Sequence, residues 1–353
     1  MKVLSSLEIQ AIVSELQIFV NARVDQVYQP DNTELVLAFH RSDIGKKLLR
    51  IVPGTTLYIA SQRRPSPKEA LNFCRFLRKR LGPTRVKEIV QKKGERIVEF
   101  HFEGKESYFI LIAEFFSKGN LILCDKEYTI ISALQVQLWK DRKIKAKVKY
   151  EYPPERKNTF TSGEEFQKHL EETKKETIVK TLALGVNIGG VYAEEICARA
   201  HVPKETKEPT KEQYQNLFKE LQKLIQEELS PNLISGEPYP IEMHSKGKGE
   251  PCTSYSEALD KYYAQFIDAT EQEEQEKAPK EKRSKYEELI EEQKKQLIQI
   301  DKAVEENQKK GEYIYTHYME IKELVDLFKQ KNFEELKKRG IQIEGKNILV
   351  EIQ

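Results

Sequence analysis

The first 160 residues alternate apolar and polar positions with the two-residue period of β-strands. Turn residues separate the alternating runs, which predict strands over residues 23–28, 34–39, 47–52, 56–59, 84–90, 96–102, 108–115, 120–124 and 129–134. Two runs have helical periodicity instead. One follows a capping-box pair, Ser5 and Glu8, and the other covers residues 66–81 with Pro67 in its first turn. Residues 1–160 therefore predict an α+β domain with a mostly antiparallel sheet.

Helical periodicity dominates after this domain. Residues 162–226 predict helices, a loop-rich stretch follows over residues 230–252, and another helix is predicted over residues 256–266. Two of the helices are joined by a turn that contains Gly185, Gly189 and Gly190. Residues 161–268 therefore predict a helical region with a loop-rich extension, in which a glycine-rich hairpin joins two helices.

Residues 269–310 are dense in Glu, Lys and Gln and predict a coiled-coil helix. Its apolar seam consists of Tyr286, Ile290, Leu297, Ile300 and Val304, with Gln293 in the remaining position. We expect Gly311 to end this helix, and residues 311–353 predict a small segment of short helices and a final strand. A coiled-coil helix needs a partner, so either another chain supplies it or this chain continues beyond Gln353. We favour the second.

Composition limits the class of protein. A chain of 353 residues exceeds one ordinary core, and 39% hydrophobic residues suffice for folded domains. The start of the chain lacks the apolar region of a signal peptide, and no apolar run approaches the ~20 residues of a membrane span, so we expect a cytoplasmic protein. The four cysteines and six histidines are scattered, and this spacing predicts neither a metal site nor a disulfide framework.

The net charge of +2 hides an uneven distribution. Residues 61–100 hold twelve Lys and Arg against four acids, and residues 140–149 hold six basic residues against one acid. Such surfaces neutralise phosphates and release counterions, so we favour nucleic-acid binding over a solvated basic surface. The predicted contacts are Arg63, Arg64, Arg75, Arg78, Lys79, Arg80, Lys118, Lys140, Arg142 and Lys143. Trp139 is able to stack on a base, although a single tryptophan is more often part of a core.

Two smaller candidates have ordinary structural explanations. The glycine-rich turn would let the backbone approach a phosphate at a helix N-terminus, but it departs from the usual Gly-x-Gly spacing, which favours a plain helix–helix turn. Glu8 is explained by its capping box, and an adjacent Glu95-Arg96 pair at the start of a strand is common on surfaces. Spacing alone therefore favours a structural role for all of them.

Five ordered motifs resemble the NFACT family, which includes the eukaryotic nuclear export mediator factor and the bacterial and archaeal RqcH proteins. The motifs are FCRFLRKRL at 73–81, IVQKKGERIV at 89–98, EFFSKGNLIL at 114–123, GGVYAEEI at 189–196 and SYSEALDKYY at 254–263. In character this chain looks most like archaeal RqcH, and the similarity extends over essentially all of it.

The resemblance implies an NFACT-N domain like the amino-terminal domain of formamidopyrimidine-DNA glycosylases, then a helix-hairpin-helix domain and a coiled coil, without the family's carboxy-terminal RNA-binding domain. Family members bind the large ribosomal subunit with a stalled nascent chain on tRNA. They recruit charged tRNA for untemplated, alanine-type extension, which marks the chain for degradation. The resemblance therefore implies a factor that binds rRNA and tRNA, including peptidyl-tRNA. It implies no catalytic centre, cofactor, small-molecule substrate or membrane.

The family's functional residues are an Asp in the first helix and an Asp-Arg pair after the basic helix. They correspond here to Glu8, Glu95 and Arg96. The arginine matches, and both acids are one methylene longer. The resemblance therefore assigns tRNA binding to these three residues, with Arg96 on a phosphate or base and the carboxylates orienting it.

Three other functions stay open at this point. A glycosylase with a similar domain attacks the sugar with a Pro-Glu pair directly after the initiator Met, where this chain has Lys2 and Val3. The family has also carried the label of a fibronectin-binding adhesin, which disagrees with the lack of a signal peptide. A coiled-coil scaffold would make no contact with nucleic acid.

Overall fold

A computed structural model describes residues 2–92, 94–139, 142–154, 160–344 and 347–349. Lys140, one of the predicted contacts, lies outside these residues. The chain divides into a first unit that ends at residue 269 and a second unit from residue 270. The predicted boundary at residue 160 falls within the first unit.

The first unit is built on one nine-stranded antiparallel sheet of order β4-β3-β2-β1-β5-β6-β7-β8-β9. The strands are β1 (Arg23–Tyr28), β2 (Leu35–Arg41), β3 (Gly45–Val52), β4 (Thr56–Ala60), β5 (Arg85–Gln91), β6 (Ile97–Glu103), β7 (Tyr108–Glu114), β8 (Asn120–Cys124) and β9 (Ile130–Ala133). The predicted antiparallel sheet is confirmed, with strand ends shifted by one or two residues. Two short strands, β10 (Gln137–Leu138) and β11 (Lys143–Ile144), pair beside it.

Helices α1 (Ser6–Leu16) and α2 (Asn72–Leu81) pack on one face of the sheet. The capping box of Ser5 and Glu8 is present as predicted. The predicted start of the second helix at residue 66 is wrong. Pro67 disfavours helical geometry at the residue before it, and the chain becomes helical only at Asn72.

The outer half of the sheet is buried on both faces. Because strand side chains alternate between faces, Phe100 and Leu111 join the core beneath the helices, whereas Ile112 and Ile122 face a second core. The segment through β11 and Tyr150 covers that second face.

The turn after β7 rests directly on the turn between β3 and β4. Gly54 N donates to Glu114 O over 3.0 Å. Gly119 has a φ of +68°, and a Cβ added there would lie 1.9 Å from Gly54 N. Only glycine fits this crossing of two backbones.

A helical layer with its own core follows. It contains α3 (Gly163–Glu172), α4 (Ile178–Gly185), α5 (Gly190–Arg199) and α6 (Lys211–Gln226). The stretch predicted as loop-rich also contains a small sheet of β12 (Asn232–Ile234), β13 (Glu237–Tyr239) and β14 (Glu250–Pro251). These strands are too short to give an alternating signal.

The remaining elements are α7 (Tyr255–Thr316), α8 (Tyr318–Lys329), α9 (Phe333–Lys338), β15 (Gln342–Glu344) and β16 (Asn347–Leu349). The predicted helix end at Gly311 is wrong, because α7 continues through it. One glycine costs a helix only about 1 kcal/mol relative to alanine. Ile290 and Leu297, on the predicted seam, are at least half exposed, and their coiled-coil role stays a prediction. Among the described residues, no helix combines the length and apolar character needed to cross a membrane.

The first turns of α7 close the β4 edge of the sheet. Ser256 Oγ accepts from Ile59 N over 3.2 Å, and the Asp260 carboxylate accepts from Ser61 N over 3.1 Å. Glu15 of α1 in turn caps the start of α7, since its carboxylate accepts from Ser256 N over 2.9 Å.

Candidate nucleic-acid interface

A pocket of about 440 Å³ opens in the first unit where the start of the chain meets α1 and α5. Residues that the sequence analysis treated as separate candidates line it together, namely Glu8, Arg96, Gly189 and Gly190. Tyr192, Tyr239 and Tyr262 also line it, although no signal in the sequence points to them, and Lys2 stands out in the sequence only as a mismatch to the glycosylase motif.

Glu8 forms the floor of this pocket and is 2% exposed. One carboxylate oxygen accepts from Ser5 N over 2.8 Å. The other lies 2.7 Å from Lys2 Nζ and accepts from the Tyr255 hydroxyl over 3.0 Å. Burial, and then the negative charge of Glu8, raise the pKa of Tyr255 well above its usual range, so the hydroxyl remains a donor. The capping residue is therefore also the counter-ion of Lys2.

Glu95 and Arg96 lie in the turn that leads into β6. The carbonyl of Arg96 accepts from Phe115 N over 2.8 Å, which fixes its backbone to β7. The Glu95 carboxylate accepts from the Asn187 side chain over 3.3 Å, and Asn187 belongs to the glycine-rich turn. Glu95 thus ties this turn to the turn before β6, and its neighbour Arg96 lines the pocket.

The N-terminus of α5 forms another wall of the pocket. Gly189 takes a φ of +82° at the N-cap, where no side chain caps the helix. The first backbone N–H groups of a helix have no intrahelical acceptor. The N–H groups of Gly190 and Val191 therefore add donors to a pocket that also contains Lys2, Arg96 and the acid Glu237.

Two ammonium groups flank the ring of Tyr239. Lys2 Nζ lies 4.0 Å from the ring centroid, and Lys246 Nζ lies 5.6 Å from it. Lys246 comes from the loop between β13 and β14. No local pattern in the sequence indicates this grouping, because the three residues come together only through the fold.

The predicted basic contacts on α2 divide into exposed and engaged groups. Arg75 and Lys79 are exposed, whereas Arg78, although partly open to solvent, donates through Nε to Val27 O of β1 over 2.8 Å. Arg80 stacks on Phe76, 3.8 Å from the ring centroid. Their contact with nucleic acid stays a prediction.

The two arginines before α2 differ in their surroundings. Arg63 is exposed and lies 4.1 Å from the centroid of the Tyr28 ring. The guanidinium of Arg64 donates to Asp31 over 2.7 Å and lies 3.6 Å from the buried carboxylate of Glu34. Arg63 therefore presents more of its charge to solvent.

The remaining predicted contacts are similarly divided. Lys118 and Lys143 are exposed. The guanidinium of Arg142 is mostly buried, pairs with Glu114 and donates to Glu151 O over 2.7 Å. Among the described residues, no three His, Cys, Asp or Glu side chains group closely enough to hold a metal ion.

The fold is shared with solved bacterial structures. The amino-terminal part of the fibronectin/fibrinogen-binding protein of Streptococcus suis superposes with a TM-score of 0.61, over 74% of this chain and 99% of that one, at 22% identity. The fibrinogen binding protein of Staphylococcus aureus gives the same TM-score over 73% of this chain and 98% of that one, also at 22% identity. At this identity the likeness defines the fold alone.

The family to which the chain belongs follows from a match over nearly its whole length. Residues 5–347 match the NFACT N-terminal and middle domains, and the chain belongs to this family. The archaeal Rqc2 homolog aRqcH of Methanocaldococcus jannaschii is 29% identical over 348 residues, which are 93% of this chain and 52% of that protein. The ribosome quality control complex subunit NEMF of Homo sapiens is 28% identical over 150 residues, 42% of this chain and 14% of that protein. The chain thus spans about half the length of the archaeal relative.

Proposed function

We propose that the chain is an RNA-binding part of a cytoplasmic ribosome quality control factor. In this proposal it binds the large ribosomal subunit that carries a stalled nascent chain and recruits tRNA for untemplated, alanine-type extension, which leads to degradation of the nascent chain. The ribosome forms the peptide bond, so the chain acts as a binding factor and not as an enzyme. Family membership and the names of the archaeal and human relatives support this proposal.

The observation that carries the proposal is the pocket at the start of the chain. Its lining combines Lys2 and Arg96 with the uncapped N-terminus of α5, beside the acids Glu8, which pairs with Lys2, and Glu237. Charged side chains and helix N-termini are the usual partners of phosphate oxygens in protein–nucleic acid complexes. A pocket with these donors suits the backbone of RNA.

The finer architecture belongs to the same proposal. The sheet domain is of the type found at the amino terminus of formamidopyrimidine-DNA glycosylases, α4 and α5 form a helix-hairpin-helix element, and residues 269–310 form a coiled coil. Such a helical hairpin would grip a nucleic-acid backbone through the N–H groups at the start of its second helix.

The two acids act indirectly in this scheme. Glu8 is too buried to meet RNA itself, so its part is to hold Lys2 in the pocket wall. Glu95 holds the glycine-rich turn through Asn187. Arg96 remains as the group that contacts RNA, where its planar guanidinium suits a phosphate oxygen pair.

Arg96→Ala is expected to weaken tRNA binding roughly tenfold, because it removes a hydrogen bond to a charged phosphate. It should also reduce the slope of log affinity against log salt by about 1, because one phosphate contact is lost. The measurement is the fluorescence anisotropy of labelled, deacylated tRNA at several salt concentrations. Arg85→Ala is the matched control. This exposed arginine begins β5, whereas the turn that holds Arg96 follows the end of β5, about 20 Å away along the strand.

Equal losses for Arg96→Ala and Arg85→Ala would mean that only overall charge matters, and the assignment of Arg96 would be wrong. Co-sedimentation with large ribosomal subunits tests the wider proposal. A chain that stays in the supernatant even at low ionic strength would contradict it.

A further inference from the structure

The strand pair β10–β11 carries large apolar side chains that remain well exposed among the described residues. Val136 is 67% exposed, Leu138 is 66% exposed and Trp139 is 45% exposed. Leu138 and Trp139 are consecutive in a paired strand and therefore point to opposite faces of it. Several large exposed apolar side chains within four residues are less ordinary than a single one. The expectation that Trp139 belongs to a core is wrong, and its ring is open to a partner.

This surface is held in place from below. The side-chain amide of Asn120, a buried residue, donates to Gln135 O over 2.8 Å and to the Gln137 side chain over 3.0 Å. The guanidinium carbon of Arg142 lies 4.9 Å from the Tyr150 ring centroid and 5.9 Å from that of Trp139. Together with the ion pair between Arg142 and Glu114, these contacts support Trp139 before any ligand arrives.

Exposed lysines lie on the chain segments around Trp139. The exposed lysines of this region are Lys118, Lys143, Lys145, Lys147 and Lys149. Burial works against the charge of Arg142, but the hydrogen bonds and charges of Glu114 and Tyr150 together outweigh it and raise the pKa of the guanidinium, so Arg142 remains a cation. An aromatic ring interleaved with ammonium groups is the usual composition of a surface for single-stranded nucleic acid.

The same surface adjoins the turn that holds Arg96. Phe115 N donates to Arg96 O over 2.8 Å, and the ring of Phe116 lies 6.0 Å from the guanidinium carbon of Arg142. Lys118 follows in the same turn. An RNA strand bound to Arg96 would therefore reach Trp139 by crossing the turn between β7 and β8.

We propose that Trp139 stacks on an unpaired base of RNA while exposed lysines of the neighbouring segments, such as Lys118, contact the flanking phosphates. This proposal rests on the proposed function for the identity of the RNA. The stacking on Trp139 itself is tested separately from that function. The continuity with Arg96 and the surrounding lysines favour RNA over an acidic protein or an anionic membrane.

Trp139 is the only tryptophan of the chain, so its fluorescence reports on this surface directly. The probe is single-stranded oligouridine of about twelve nucleotides, within the usual site size of such surfaces. We expect saturable quenching of the tryptophan emission at the same RNA concentrations that saturate the anisotropy of a labelled probe. Inorganic polyphosphate, which meets the lysines but has no base, should leave the emission unquenched.

Substitutions separate stacking from general contact. Trp139→Ala should weaken oligouridine binding roughly fivefold or more without changing its salt slope, and Trp139→Phe should retain most of the affinity. Val136→Ala is the matched control, because it removes an exposed apolar side chain that cannot stack. Its affinity should equal that of the unchanged protein.

Several results would overturn the stacking role of Trp139. They are an unquenched emission at saturating RNA, equal losses for Trp139→Ala and Val136→Ala, or a blue shift on anionic phospholipid vesicles without any response to RNA. Arg96→Ala on the same probe keeps the two proposals apart. If Trp139 responds while neither tRNA nor ribosomal subunits bind, the proposed function fails and the stacking site stands. If Arg96 and the ribosome behave as proposed and Trp139 is silent, only the stacking site fails.

Discussion

Gly119→Ala is expected to lower the free energy of unfolding of the first unit by at least about 4 kcal/mol, which is exceptional for one added methyl group. The reason is the crossing of two backbones. A Cβ at this position would lie 1.9 Å from Gly54 N, and an L side chain at a φ of +68° adds its own strain. Neither turn is able to withdraw without breaking the hydrogen bond from Gly54 N to Glu114 O.

Urea unfolding followed by circular dichroism measures this effect, and Gly190→Ala is the control. A Cβ at Gly190 would meet nothing within 4 Å, and the residue begins α5, where alanine is a better helix former. The control should be as stable as the unchanged protein or slightly more stable. Similar midpoints for the two variants would show that the turns at Gly54 and Gly119 separate easily.

Glu8→Ala is expected to cost about 3–5 kcal/mol, the usual result of removing one partner from a buried ion pair. The substitution leaves the Lys2 ammonium, the Ser5 N–H and the Tyr255 hydroxyl without the carboxylate that they share. Loss of the cap on α1 contributes about 1 kcal/mol of this total. Thermal unfolding at neutral pH is the measurement.

Two further variants divide the contributions of Glu8. Glu8→Gln keeps the length of the side chain and an acceptor for Ser5 N but removes the charge beside Lys2, so an intermediate loss is expected. Glu8→Asp keeps the charge but not the reach to both Ser5 N and Tyr255. A loss below about 1 kcal/mol for Glu8→Ala, the size of an ordinary surface effect, would mean that Lys2 finds another partner.

The sequence was sufficient for the elements that depend on local signals. The alternation that predicts the nine strands and the three-residue spacing that predicts the cap of α1 both act within a few neighbouring residues. The partners of Glu8 illustrate where such signals end. Its capping contact is three residues away, whereas its contact with Tyr255 spans 247 residues. A local sequence pattern cannot predict a contact over that separation.

The basic blocks illustrate a second limit. Charge counts treat Arg142 and Lys143 as equals. In the structure, Arg142 forms an ion pair with Glu114, a residue at the end of β7 that is 28 positions away in the sequence. Which cation is buried depends on where a distant acid lies. Exposure of Trp139 was likewise beyond the sequence, because its neighbours Val136 and Leu138 have the same apolar character as core residues.

The hydrogen bonds from β4 to α7 determine where the first unit can be divided. A chain shortened to residue 253 would lose the acceptors Ser256 and Asp260 and the ring of Tyr263, which stacks on Tyr58. The exposed edge strand β4 would then present unpaired N–H groups to other molecules, which is a common cause of aggregation. Soluble fragments for biophysical work should therefore retain the first four turns of α7.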